Sequence, residues 1–132
     1  MGGKGSFFML LRTYLVGKLH GVRLTDKNVA YQGSITLSQE YLDAANLQAH
    51  ELVQVVNVTT GARLTTYVIA TDEPRVCILN GGAARHAEVG DQLIVMAFAH
   101  SDRPTEPRIA IVGDDNRIEH TITGYSVPPR KS

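Results

Sequence analysis

Short runs of alternating apolar and β-branched residues follow one another along the chain, with turn residues between them and only one or two helical segments. This pattern limits the fold more than any other feature, because a period of two makes half-buried strands, and a strand-rich chain must close or cover its edges. LLRTYLVGKLHGVRLT reads as one long bent strand or two, with Gly17 and Gly21 as kinks or bulges. ELVQVVNV and ARLTTYVIAT flank TTG and read as a hairpin, and RVCILN, DQLIVMAFA and PRIAIVG supply further strands. SQEYLDAANL is the best helix, with Ser38 as N-cap and Leu42 and Ala45 on its inner side. GGAARHA reads as a glycine turn opening a short helical stretch. Strands at this spacing with so little helix predict a closed barrel rather than a parallel sheet with helical crossovers. Residues 1–9 read as an N-terminal extension, 10–119 as the domain and 120–132 as a loose tail.

A chain of 132 residues suits one domain with a real core. Thirteen basic and thirteen acidic residues give net charge zero, and the basic ones are scattered, which argues against a nucleic-acid partner. No apolar stretch approaches the ~20 residues that span a bilayer, so no membrane association is expected. GSFFMLLR is too short for a signal peptide and has no small-residue cleavage site. The single cysteine, Cys77, cannot form an intrachain disulfide, which points to the cytoplasm, and within RVCILN it reads as a small buried hydrophobe rather than a nucleophile.

The stretch YQGSITL places Gly33-Ser34 between two β-type runs. The pair is either an ordinary turn or a bond that the protein breaks in itself. Lys18 and His20 stand two apart and share a strand face, as do Arg63 and Tyr67, four apart. Asn80 to Ala84 offer backbone N–H groups with little side-chain bulk. Such a set suits a pocket for a small anionic substrate. Taken singly, each member also has a plain structural reading: a solvated lysine, an edge histidine, a hairpin arginine, half-buried tyrosines, an Asn-Gly turn.

The combination in order is more specific. Gly17-Lys18-Leu19-His20, Tyr31-x-Gly33-Ser34, Gly61-x-Arg63-x-x-Thr66-Tyr67 and Asn80-Gly81-x-Ala83-Ala84 closely resemble the pyruvoyl-dependent aspartate 1-decarboxylase family, over about residues 10 to 118. The resemblance implies a mainly β fold, a six-stranded double-psi β-barrel with short helices. It implies self-cleavage into 1–33 and 34–132 and a covalent pyruvoyl group formed from Ser34, with no metal and no pyridoxal phosphate. It also implies decarboxylation of L-aspartate to β-alanine, the precursor used in pantothenate biosynthesis.

Among the residues, the resemblance makes Ser34, Tyr67 and Lys18 catalytic, and assigns substrate binding to Arg63, Gly81, Gly82 and Ala83. Thr66 and Asn80 would serve processing and the oxyanion, and His20 and Tyr31 would complete the pocket. It further implies a homotetramer with sites between subunits, and leaves room for a maturation factor. Ser38 stands where aspartate is common, Gly82 where alanine is usual, DEPR shortens a loop, and Thr105 replaces an aromatic. These departures mark a divergent member and leave two alternatives open: the same chemistry on another small acidic amino acid, or a barrel that binds without catalysis. Strict alternation also sends Thr66 and Tyr67 to opposite faces of one strand. A twist, a bulge or a neighbouring subunit would reconcile this with a shared site.

Overall fold

The computed structural model describes residues 8–124. Of the two readings, one long strand or two, its first strand β1 (Arg12–Arg23) is the single long one, and it runs antiparallel to β7 (Gln92–Ser101). The β1–β7 register shifts between Leu15 and Gly17 and again between His20 and Val22. The second shift carries Gly21 at φ +98°, a bulge conformation that glycine adopts without steric cost. Gly17 has a different role: a Cβ there would meet the Ala45 carbonyl oxygen at 2.3 Å, so its absence lets β1 press against the end of helix α1 (Gln39–Ala45).

The other strands are β2 (Asp26–Asn28), β3 (Ser34–Ser38), β4 (Leu52–Asn57), β5 (Arg63–Thr71), β6 (Cys77–Asn80), β8 (Arg108–Val112) and β9 (Ile118–Thr123). Their hydrogen-bonded order is β2-β6-β3-β5-β4-β7-β1-β8-β9. The expected hairpin is present as β4 and β5, antiparallel, with Leu52 opposite Tyr67 and Val56 opposite Arg63. Three pairs are parallel, β1 with β8, β3 with β5 and β2 with β6. β5 changes partner midway, since Arg63–Tyr67 pair with β4 and Val68–Thr71 with β3, so the sheet turns a corner there. Leu19, Ile35, Leu37, Val53, Val55, Val68, Leu79 and Val95 belong to one buried cluster, which Tyr41, Leu42 and Ala45 of α1 cover. The fold is mainly β and barrel-like in its curl.

Nine strands are described, not six. Two of them, the three-residue β2 and the edge strand β9, bury almost nothing and so give no alternating apolar signal in the sequence. β9 occupies residues 118–123 and pairs with β8, where a loose tail from His120 was expected; most of that tail and of the N-terminal extension lies outside the described residues. Ser38 precedes α1 as expected, but its side chain does not cap the helix. Its hydroxyl donates to the Glu73 carbonyl and accepts from the Val76 N–H, both at 2.6 Å. With Glu40 Oε1 accepting the Arg75 N–H at 2.8 Å, it pins the short DEPR turn onto α1. A 3-10 helix, Gly81–His86, follows β6 where the glycine turn was read.

Candidate active site

Ser34 opens β3 and is fully buried, although its neighbour Gly33 is exposed. The antiparallel β3–β6 register sets Ser34 directly across from Asn80. Asn80 Nδ2 donates to Ser34 Oγ at 2.9 Å, and the Ser34 hydroxyl donates to the Gln32 carbonyl at 3.1 Å. The second Nδ2 hydrogen goes to Thr36 Oγ1 at 3.0 Å. Thus the serine of the Gly-Ser pair is not a solvated turn residue. Its hydroxyl is held on two sides, beside a peptide whose acyl residue has no side chain to hinder approach.

Gly81 follows Asn80 at φ +60°, and a Cβ there would stand 2.7 Å from the Tyr31 carbonyl oxygen and from Gly33 Cα. The backbone of the Gly-Ser segment therefore packs on the start of the 3-10 helix. At Gly33 and Gly82 a Cβ would meet nothing within 4 Å. Both of these glycines line a cavity of about 510 Å³ together with Thr66, Tyr67, Ala83 and His86.

Thr66 and Tyr67 do leave β5 on opposite faces, since Thr66 lies opposite buried Val53 and Tyr67 opposite exposed Leu52. Both reach the cavity because it lies at a strand edge rather than on a face. β5 gains β3 as a partner only from Val68 onward, which leaves its edge open at Thr66 and Tyr67, beside Gly33.

The remaining expected residues stand apart within this chain. Arg63 is exposed on the outer face of β5, four residues before Tyr67. His20 lies in the same cross-strand row as Arg63, through Val56 and Ile94, and Lys18 lies in the next row, through Met96 and Gln54. Three strand spacings separate β5 from β1, roughly 14 Å. Along the sheet, Lys18 and Arg63 therefore stand on strands three apart. Lys18 does act on His20: burial first, and then the Lys18 charge, lower the His20 pKa from its ordinary value. Tyr31 is exposed, and its backbone carbonyl lies against Gly81.

Cys77 is fully buried, and burial pushes its thiol up to about 12, which removes it as a nucleophile. Among the described residues no group of three or more His, Cys, Asp or Glu could hold a metal ion. No helix among them is long and apolar enough to cross a membrane.

Two site residues escaped the sequence reading. Thr36 is two positions after Ser34 on the same strand face, so the period of two was the available signal. His86 ends the 3-10 helix, and its place on the cavity wall follows from tertiary contacts. Its carbonyl accepts from Nδ2 of the buried Asn57 at 3.1 Å, and the same nitrogen donates to Asp91 Oδ2 at 2.8 Å.

Residues 10–119 match the sequence profile of the family described as aspartate decarboxylase. Aspartate 1-decarboxylase of Campylobacter jejuni strain 81-176 is 42% identical over 117 residues, covering 86% of this chain and 92% of that protein. The enzyme of the same name from Exiguobacterium sibiricum is 40% identical over 120 residues, covering 86% and 94%. That from Bacillus licheniformis is 38% identical over 118 residues, covering 86% and 93%. With the buried Ser34 hydroxyl held by Asn80, and its neighbour Gly33 lining one cavity with Tyr67, these matches place the chain in the aspartate decarboxylase family.

Proposed function

We propose that this chain is a pyruvoyl-dependent decarboxylase that converts L-aspartate to β-alanine and carbon dioxide after cutting itself between Gly33 and Ser34. One observation carries the reading: the buried Ser34 hydroxyl is held between the Gln32 carbonyl and the Asn80 amide, and its chain neighbour Gly33 lines a cavity together with Tyr67.

Self-cleavage begins when Ser34 Oγ adds to the Gly33 carbonyl carbon. Asn80 and Thr66 supply the polar hydrogens that stabilise the oxyanion. The C–N bond then breaks, the hydroxyl proton ends on the Ser34 nitrogen, and an ester links the two segments. Loss of the Ser34 α-proton expels the Gly33 carboxylate from Cβ and leaves dehydroalanine, which tautomerises and takes up water to give the ketone and ammonia. The site fits that product. The keto-acyl group has no more heavy atoms than the serine it replaces, and the space beside Gly33 is open.

Once formed, the pyruvoyl ketone supplies the electron sink that decarboxylation of an amino acid needs. The rest of the chemistry belongs to side chains. Arg63 binds a substrate carboxylate through its planar guanidinium. Gly82 and Ala83 put little side-chain bulk on the cavity wall, and Gly81 packs behind it against Gly33. Tyr67 returns a proton to the α-carbon. Lys18 adds positive potential.

Because Lys18 and His20 lie three strands from β5 on the outward face, the complete site forms between copies of the chain in a homotetramer. The parallel β3–β5 and β1–β8 pairs support a six-stranded double-psi barrel as the heart of the nine-strand order. A lone buried thiol suits the cytoplasm, and a maturation factor is compatible with a cleavage bond packed this closely.

Intact-mass measurement tests the reading. The purified chain should separate into 1–33 and 34–132, the latter lighter than a serine-started chain by the exchange of an amine for a ketone oxygen. Ser34→Ala should neither cleave nor decarboxylate. A Ser34→Ala protein still active on aspartate would overturn the mechanism. Parallel assays with aspartate and glutamate fix the substrate, since one methylene changes the span between Arg63 and the reacting carbon.

A further inference from the structure

We infer that Thr36 is a positioning residue for self-cleavage, acting through the Asn80 side chain; the inference rests on the self-cleavage reading above. Asn80 is nearly buried and both of its Nδ2 hydrogens are used, one on Ser34 Oγ at 2.9 Å and one on Thr36 Oγ1 at 3.0 Å. Ser34 and Thr36 are the first and third residues of β3, so their hydroxyls leave the same face and bracket the amide that enters from β6.

The direction of these bonds matters. Ser34 spends its own hydrogen on the Gln32 carbonyl, so its oxygen meets Asn80 only as an acceptor. A primary amide turned over by 180° would instead present its carbonyl oxygen to Ser34, and to the oxyanion that forms on Gly33. That oxygen would draw the Ser34 hydroxyl hydrogen onto itself and would repel the oxyanion. Thr36 provides the second acceptor, so both hydrogens of the amide nitrogen are engaged and the donor-first orientation is complete. Valine at this position has threonine's shape without the oxygen. It would leave one buried Nδ2 hydrogen unpaired and the amide free to turn or withdraw.

The experiment is a time course of cleavage by intact mass on freshly purified wild type, Thr36→Val and Thr36→Ser. Thr36→Val should cleave about tenfold or more slowly, the scale set by one buried hydrogen bond, while Thr36→Ser stays within about threefold of wild type. In an Asn80→Asp background, where the donor is gone, Thr36→Val should add no further slowing. Equal rates for wild type and Thr36→Val overturn the inference. So does an undiminished Thr36→Val effect in the Asn80→Asp background, or a Thr36→Ser as slow as the valine variant. Should Thr36→Val lose cooperative melting, Thr36→Ala carries the same comparison. A wild-type chain that never cleaves strikes instead at the self-cleavage reading, and is told apart by its intact mass.

Discussion

Gly81 lies so close to Gly33 that a Cβ at position 81 would stand 2.5 Å from the Gly33 nitrogen. The obstructing atoms are backbone, so no rotamer change relieves the contact. Gly81 also sits at φ +60°, where an L side chain costs roughly 1–2 kcal/mol by itself. Gly81→Ala should therefore displace the scissile segment and suppress cleavage, read as the fraction of intact chain after prolonged incubation. Gly82→Ala is the control one residue along, where a Cβ meets open space. It should cleave at close to the wild-type rate. Equal behaviour of the two variants would refute this account of the Gly81 contact.

Arg63 gives a prediction of the opposite kind. It is exposed and does not line the cavity beside Gly33. Arg63→Ala should leave self-cleavage largely intact while catalytic efficiency on aspartate falls by about tenfold or more, because a lost charge-assisted carboxylate contact is worth roughly 2–5 kcal/mol. Steady-state assays normalised to pyruvoyl content check this. A change smaller than about tenfold, ~1.4 kcal/mol, removes Arg63 as the carboxylate anchor.

The pH dependence of stability has a defined sign at His20. Its pKa is lowered from 6.5 in the folded chain, by burial first and by Lys18 second. The unfolded chain therefore takes up this proton at a higher pH than the folded one. Stability is full above about pH 6.5 and is lost as pH falls from there through the lower folded value. Chemical denaturation at several pH values should show wild type losing more stability on acidification than His20→Gln. Lys18→Met should narrow the affected window, because it removes one of the two causes. An identical acid dependence in wild type and His20→Gln would contradict the assignment.

Much of the fold could be read from period-two alternation: β1 with its two irregular points, the β4–β5 hairpin, and β6 through β8 are all carried by buried alternate residues. β2 and β9 could not be, because DKN and IEHTIT bury too little to leave a pattern. In the site, Ser34, Asn80, Thr66 and Tyr67 were legible as family positions, but the reason Thr66 and Tyr67 share a cavity was not. It depends on where β3 begins to pair with β5, which is a property of the register rather than of either residue. Ser38 shows the same limit. Its type suits an N-cap, yet the neighbouring turn at residues 73–76 competes for the hydroxyl and wins.

β1 and β5 stand three strands apart in the sheet. Lys18 and His20 face outward three strands from Tyr67, and the outer face also carries Leu52, 65% exposed, opposite Tyr67. Val58, just past the end of β4, is 48% exposed. An exposed apolar group beside Tyr67 suits burial against a second copy, which would bring its own outward row to the cavity. Light scattering at micromolar concentration should give a tetramer rather than a 14.4 kDa monomer. Co-expression with distinguishable tags then tests who supplies what. Ser34→Ala mixed with Lys18→Ala should recover activity, because a hybrid can join an intact Ser34 from one chain to an intact Lys18 from the other. Ser34→Ala mixed with Tyr67→Phe should remain inactive, since Gly33, the chain neighbour of Ser34, lines the same cavity as Tyr67 within one chain. A fully active monomer would refute the shared site. So would recovery in the Tyr67 mixture without recovery in the Lys18 mixture, which would place the boundary between chains inside the cavity rather than at the β1 face.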